Sequence, residues 1–182
     1  MNDYLRVLLV LLAAVNPASV LLATATRTRP TGVVLGLGAA IGFGGYVLMA
    51  SVAADALDSL DIQPETFRIA AGIVMLTAGA WATVRVGAPE VELEGTWRDG
   101  VTPLAIPLLV SPSGAVASAS YAADRGVGVT ILAAATTIAV TIALIALASE
   151  RWRTPASAVA RLVGALLTVL AVGLIVDGVR AI

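Results

Sequence analysis

Charge-free apolar runs recur along the whole of this 182-residue chain and leave few folds open to it. They are Val7–Thr26, Pro30–Ala54, Ile69–Val84, Gly100–Ala123, Gly126–Ser149 and Leu162–Val176. A helix needs about 20 apolar residues to cross a hydrocarbon core ~30 Å thick, within a range of roughly 17–25. Four runs reach that length. Ile69–Val84 and Leu162–Val176, with 16 and 15 residues between charges, fall short of it. There, flanking Arg68, Arg85 and Arg161 are expected to snorkel to the interface and extend the span. A chain that is 59% hydrophobic and 13% charged agrees with this pattern. The expectation is an all-α integral membrane protein of six transmembrane helices, with residues 1–182 forming a single transmembrane domain.

What the chain lacks narrows its chemistry. It has no Cys and no His, which removes thiol redox work, His-based acid–base catalysis and metal ligation by either residue. No nucleophile–base pair and no metal-ligand cluster stands out, so neither an enzyme, a cofactor nor a metal is expected. The net charge of −1 and the absence of a basic cluster give nucleic acid no foothold. Arg6 before an apolar run, and Ala23-Thr24-Ala25 near that run's end as a cleavage-like site, resemble a signal peptide. A run of 20 residues with a break in it reads instead as the first span.

That break is the second informative feature. Asn16-Pro17-Ala18-Ser19 interrupts the first run, and Ser111-Pro112-Ser113-Gly114 interrupts the fourth. Asn and Ser cap helix starts, and Pro suits the first helical position, where its missing N–H costs nothing. Spans one and four are therefore expected to be broken at Asn16-Pro17 and Ser111-Pro112. Irregular backbone at membrane depth is tolerated only where it lines a cavity or is buried in protein. Paired breaks in two halves of a chain point to a transporter's binding site. Pro17 and Pro112 lie 95 residues apart, and Arg68 and Arg161 lie 93 apart within similar stretches. The halves then form a 3+3 inverted repeat, the first about 4–88 and the second about 99–182. Seven Arg fall on one side of the six spans and four on the other. The positive-inside rule thus puts both termini outside the cytoplasm.

The stretch Pro103-Leu104-Ala105-Ile106-Pro107-Leu108-Leu109-Val110-Ser111-Pro112-Ser113 resembles the signature of the MarC family of multi-pass membrane proteins. Asn16-Pro17-Ala18-Ser19 is similar to that family's N-P-x-G motif in the first span. Arg68–Gly72 and Arg161–Gly164 resemble its Arg-apolar-x-Gly openings of the third and sixth spans, and Asp177-Gly178 its C-terminal Asn/Asp-Gly. The resemblance covers essentially the whole chain. It implies residence in the cytoplasmic (inner) cell membrane and transport of small neutral amino acids. Ser19, Ser111 and Ser113 stand where the family usually carries glycine, which adds hydroxyls and narrows the space.

No charge lies in the middle of any span, so the expected cargo is neutral or zwitterionic. Two helix starts meeting at the midplane offer unpaired N–H groups and positive dipole ends to a carboxylate. The candidate substrate-binding residues are Asn16, Pro17, Ser19, Ser111, Pro112, Ser113 and Gly114. Asn16 and Ser111 cap the half-helices and touch the solute, or they only satisfy backbone groups freed by proline. The expected partners are a small-molecule substrate, membrane lipids and a coupling ion, either proton or sodium. An accessory or scaffold membrane protein is the main alternative, and a channel for small neutral solutes the lesser one. Thr136, Thr137 and Thr141 are candidates to face a cavity. Gly32, Gly36, Gly38 and Gly42 are expected at close helix contacts. Asp55, Asp124 and Asp177 are expected to be solvated, Asp177 being the candidate proton-coupling group. The tryptophans and tyrosines are expected as interfacial anchors.

Overall fold

A computed structural model of the protein describes residues 2–24, 30–84, 94, 96–148 and 152–182. Helix α1 (Asp3–Val15) is followed at once by α2 (Pro17–Thr24), and α3 (Gly32–Ser59) and α4 (Pro64–Val84) complete the first half. The second half holds a single turn α5 (Trp97–Asp99), an irregular Gly100–Leu109 coil, α6 (Pro112–Arg125), α7 (Val127–Leu147) and α8 (Arg153–Ala181). Five described stretches are long and apolar enough to span a bilayer: Asp3–Thr24, Gly32–Ser59, Pro64–Val84, Val127–Leu147 and Thr154–Ala181. A sixth arises only if Trp97–Leu109 and Pro112–Arg125, bent by 63°, act as one span.

The run Gly100–Ala123 therefore differs from the uniform broken helix expected of it. Its first part is a wide coil because of Pro103 and Pro107. Proline disfavours the α region for the residue before it. Thr102 (φ −134°, ψ 119°) and Ile106 (φ −126°, ψ 119°) are accordingly extended, and both prolyl bonds are cis. Regular helix starts only at Pro112, and at 14 residues α6 rises about 21 Å, too short to cross alone.

The Asp3–Thr24 stretch forms the axis of the bundle, with 72% of its most apolar window buried against 22–39% for the other four. Val7, Val10 and Leu11 of α1 meet Met75 of α4, Leu104 and Leu109 of the coil, Ala133 and Ala134 of α7, and Leu174 of α8 in one core. The outer faces remain apolar, as at Ile73, Leu162 and Val169, each more than half exposed toward the positions lipid tails occupy.

Helices α4 and α8 make the most extensive pairing, running antiparallel with Gly79 against Gly164 and Gly72 against Ala171. Small residues let the two backbones approach, which is how helices associate where lipid removes the hydrophobic drive. The expected glycine pairs on α3 divide. Gly38 and Gly42 pack on Leu104 and Leu109, whereas nothing lies within 4 Å of a Cβ built at Gly32 or Gly36. Trp81, Trp97 and Trp152 are at least half exposed, as anchors should be. Tyr46 and Tyr121 correct the expectation for tyrosine, being only 1% and 4% exposed inside the bundle.

Arg68 is a further correction. It does not snorkel but turns inward to Asp124, and both side chains are only 16% exposed. Asp124 and Asp177 are ion-paired rather than simply solvated, Asp177 with Arg6 at 2.7 Å. Opposite charges on neighbouring helix ends satisfy one another more cheaply than either long side chain can by reaching past the bundle. Arg85 lies outside the described residues, and Arg161 is exposed.

A Cβ at Gly79 would sit 2.7 Å from Thr168 Oγ1 and 2.8 Å from Gly164 O, whereas one at Gly173 meets nothing within 4 Å. Gly79→Ala is therefore expected to destabilise by about 1–3 kcal/mol through overpacking. Gly173→Ala should be neutral or stabilising by about 0.4–1 kcal/mol. Thermal unfolding of both in the same detergent compares them; equal effects would contradict the close α4–α8 approach.

Candidate functional site

Asn16 ends α1 in the left-handed conformation (φ 51°, ψ 74°), which its short polar side chain tolerates better than most. Its N–H closes α1 onto Leu12 O at 2.9 Å. Pro17 then opens α2 without an N–H to offer. In an unbroken helix the Ala14 carbonyl would take the Ala18 N–H, and the turn at Asn16 withdraws that donor. An unpaired carbonyl in a water-poor interior costs free energy comparable to a lost hydrogen bond.

The donors come from the second break. Ser113 Oγ lies 3.1 Å and Ser111 Oγ 3.2 Å from Ala14 O. The two hydroxyls are 3.1 Å apart, and Ser111 Oγ accepts the Gly114 N–H at 3.1 Å, capping α6. Each hydroxyl has one proton to give. Ser113 donates to Ala14, and Ser111 donates either beside it or into Ser113 Oγ. The two breaks are thus joined through one backbone oxygen.

Asn16 ties a third element to the joint. Its Nδ2 donates to Ala160 O of α8 at 2.8 Å, and its Oδ1 accepts the Ser19 N–H at 3.2 Å. Ala160 lies in the first third of α8, so Asn16 sits nearer that end of α8 than its middle. The Asn16 carbonyl also receives the Ser19 and Val20 amides at 2.8 and 3.2 Å. By contrast the Ala18 and Ser113 amides, the first after the two prolines, donate no hydrogen bond among the described residues.

All seven candidate residues fall at the two breaks: Asn16, Pro17 and Ser19 at one, Ser111, Pro112, Ser113 and Gly114 at the other. Gly114 is held to glycine by Tyr46, whose hydroxyl occupies the space a Cβ would need. That hydroxyl donates to Leu109 O at 2.8 Å, satisfying the end of the prolyl coil. Tyr46 was missed from the sequence, although a phenol in the middle of a charge-free run has to find a partner. Ala14 and Ala160 were missed as well, and as backbone acceptors they carry no side-chain signal. Among the other candidates, Thr136 and Thr141 bond back to Leu132 O and Thr137 O. Thr137 is fully buried, and its hydroxyl has no hydrogen-bond partner among the described residues.

The joint contains only neutral donors and acceptors. No group of three acidic side chains able to hold a metal occurs among the described residues.

A family model described as MarC family integral membrane protein matches residues 1–182, the full length. The chain belongs to the MarC family. Membership makes it a multi-pass integral membrane protein, in keeping with the helices already described. No curated relative and no solved structure matches it.

If either serine can serve Ala14, removing one should cost less than half of removing both. Ser111→Ala and Ser113→Ala are expected to cost about 1 kcal/mol each. The double variant should lose more than the sum, by about 0.5–3 kcal/mol of coupling. Unfolding of the four proteins in one detergent measures it, and strict additivity would mean that the serines act separately.

Proposed function

We propose that this MarC-family protein is a secondary transporter of small neutral or zwitterionic solutes, most of all small neutral amino acids. The reading has an inverted 3+3 repeat alternate its access around the joint of the two helix breaks, driven by a proton or sodium gradient. The observation that carries it is the meeting of two breaks 95 residues apart, with Ser111 and Ser113 on the carbonyl of Ala14. The unpaired Ala18 and Ser113 amides give each break a donor for a carboxylate. Each helix start adds about 0.3–1 kcal/mol, and up to ~2 when partly buried. Charge-assisted hydrogen bonds of ~1.5–3 kcal/mol each, less desolvation, bring binding into the millimolar to micromolar range, roughly −4 to −8 kcal/mol. A carrier that must release its cargo needs no tighter grip.

The accessory-protein reading has one observation in its favour. The side chains of Asn16, Ser111 and Ser113 are all engaged with backbone groups, as in a purely structural joint. Counterflow of radiolabelled glycine, alanine and serine in proteoliposomes separates the two. Wild type should show saturable exchange, and Asn16→Ala should lose it about tenfold or more while still inserting, a loss of at least ~1.4 kcal/mol. Absence of exchange by folded wild type under both gradients would favour the structural reading.

The proposed setting is the inner cell membrane with both termini outside the cytoplasm, supported by the excess of Arg in the opposite loops. Because the chain is free of cysteine, a single Cys at Ala181 should react with an impermeant thiol reagent applied to the outside. Reaction only after the membrane is opened would reverse the orientation.

A further inference from the structure

Three ion pairs occur among the described residues, and all three join the first half of the chain to the second. Arg6 of α1 bonds Asp177 of α8 at 2.7 Å, and Asp3 of α1 accepts from Arg125 of α6 at 2.7 Å. Arg68 of α4 meets Asp124 of α6. They gather at the end of the bundle where α1 begins and α8 finishes. Between them lies a cavity of about 150 Å³, lined by Arg6, Arg68, Tyr121, Asp124, Arg125 and Asp177. The pairs balance in sign, three guanidiniums against three carboxylates. The Nε of Arg68 is buried without a hydrogen-bond partner among the described residues, and Tyr121 is 4% exposed. Exposed ion pairs add little to stability. The two more exposed pairs, Arg6–Asp177 and Arg125–Asp3, therefore owe little of their presence to stability, and with the more buried Arg68–Asp124 they bridge the halves beside one hollow.

We propose that this cavity is a docking vestibule for a small zwitterion, and that the three ion pairs latch the halves together at this end until one binds. The proposal rests on the transport reading, since a latch between repeats matters where the repeats move. A zwitterion can replace an Arg–Asp pair group for group. Its carboxylate takes the guanidinium, its ammonium takes the aspartate, and no partly buried charge is left alone. A simple anion frees an aspartate without giving it a partner. The unpaired Nε of Arg68 gives an incoming carboxylate a donor that Asp124 does not occupy. The vestibule is distinct from the helix breaks, because Arg6 precedes Asn16 by ten residues, about 15 Å of helix.

A cysteine at Ser120 reports on the latch. At 100° per residue, Ser120 lies about 20° from Ser113 and about 40° from Asp124 around α6, between the joint and the vestibule. It is 3% exposed, and Ser120→Cys is nearly isosteric. The experiment follows labelling of this single thiol by an impermeant maleimide in nanodiscs, with no gradient and no flux. With the latch intact, labelling should be slow, and glycine should accelerate it saturably while acetate at equal concentration does not. Asp124→Asn with Asp177→Asn should label about tenfold faster without glycine. Exchanging charges, Arg6→Asp with Asp177→Arg, should keep labelling slow. The proposal is overturned by equal effects of glycine and acetate, by a neutralised latch that labels at the native rate, or by an exchanged pair as fast as the neutralised one. The glycine arm uses the native latch, so a misfolded variant does not decide the matter. Glycine-driven labelling without proteoliposome exchange would keep the vestibule and remove the transport reading, and the reverse would remove the vestibule alone.

Discussion

One backbone oxygen, the carbonyl of Ala14, holds the organisation of this bundle together. The break at Asn16-Pro17 frees it in the most buried of the candidate spans, where an unpaired backbone group is costly. Ser111 and Ser113 reach it from the other half, and in doing so seat the start of α6 against the end of α1. Asn16 then fastens the same point to α8. Three elements distant in sequence are thereby fixed by the need to satisfy groups that one left-handed residue and one proline set free.

The serines at 111 and 113 gain meaning from this geometry. They stand where the resemblance to the family's motifs leads one to expect glycine, and at first sight they only crowd the break. Their hydroxyls, however, supply donors that glycine lacks, to an acceptor for which the described residues offer no other. Close approach is preserved one residue later, where Gly114 admits the hydroxyl of Tyr46. The bundle thus separates two kinds of polar chemistry. Neutral hydrogen bonds built on backbone groups occupy the interior, and ionic pairs close the end where both termini lie. Desolvation explains the division, since a hydroxyl can be buried with one partner whereas a charge needs a counter-charge as well.

Much of the architecture was legible residue by residue. The charge-free runs locate the spanning helices, Asn16 and Ser111 mark the two breaks, and Pro112 begins its helix as a proline at the first position should. These are local properties, decided within a turn or two of the residue concerned. The prolyl coil before Ser111 was less legible, although Pro103 and Pro107 carry its cause. Apolar content made Gly100–Leu109 look like helix, and the restriction that proline places on Thr102 and Ile106 overrode it. Tyr46, Arg68 and Asp124 were misplaced because apolarity and position in a span predict an interface but cannot name a partner on another helix.

The sequence by itself determined that the chain lives in a membrane, where five of its spanning helices run and where Asn16-Pro17 and Ser111-Pro112 interrupt the backbone, because burial of apolar surface and the dihedral limits of proline act locally. Tertiary structure alone decided that the breaks meet at Ala14, that α4 and α8 close on one another through Gly79 and Gly164, and that every described ion pair bridges the halves. These contacts join residues 56 to 171 positions apart. Partners so distant are chosen by which orphaned donor, acceptor or charge packing brings within reach.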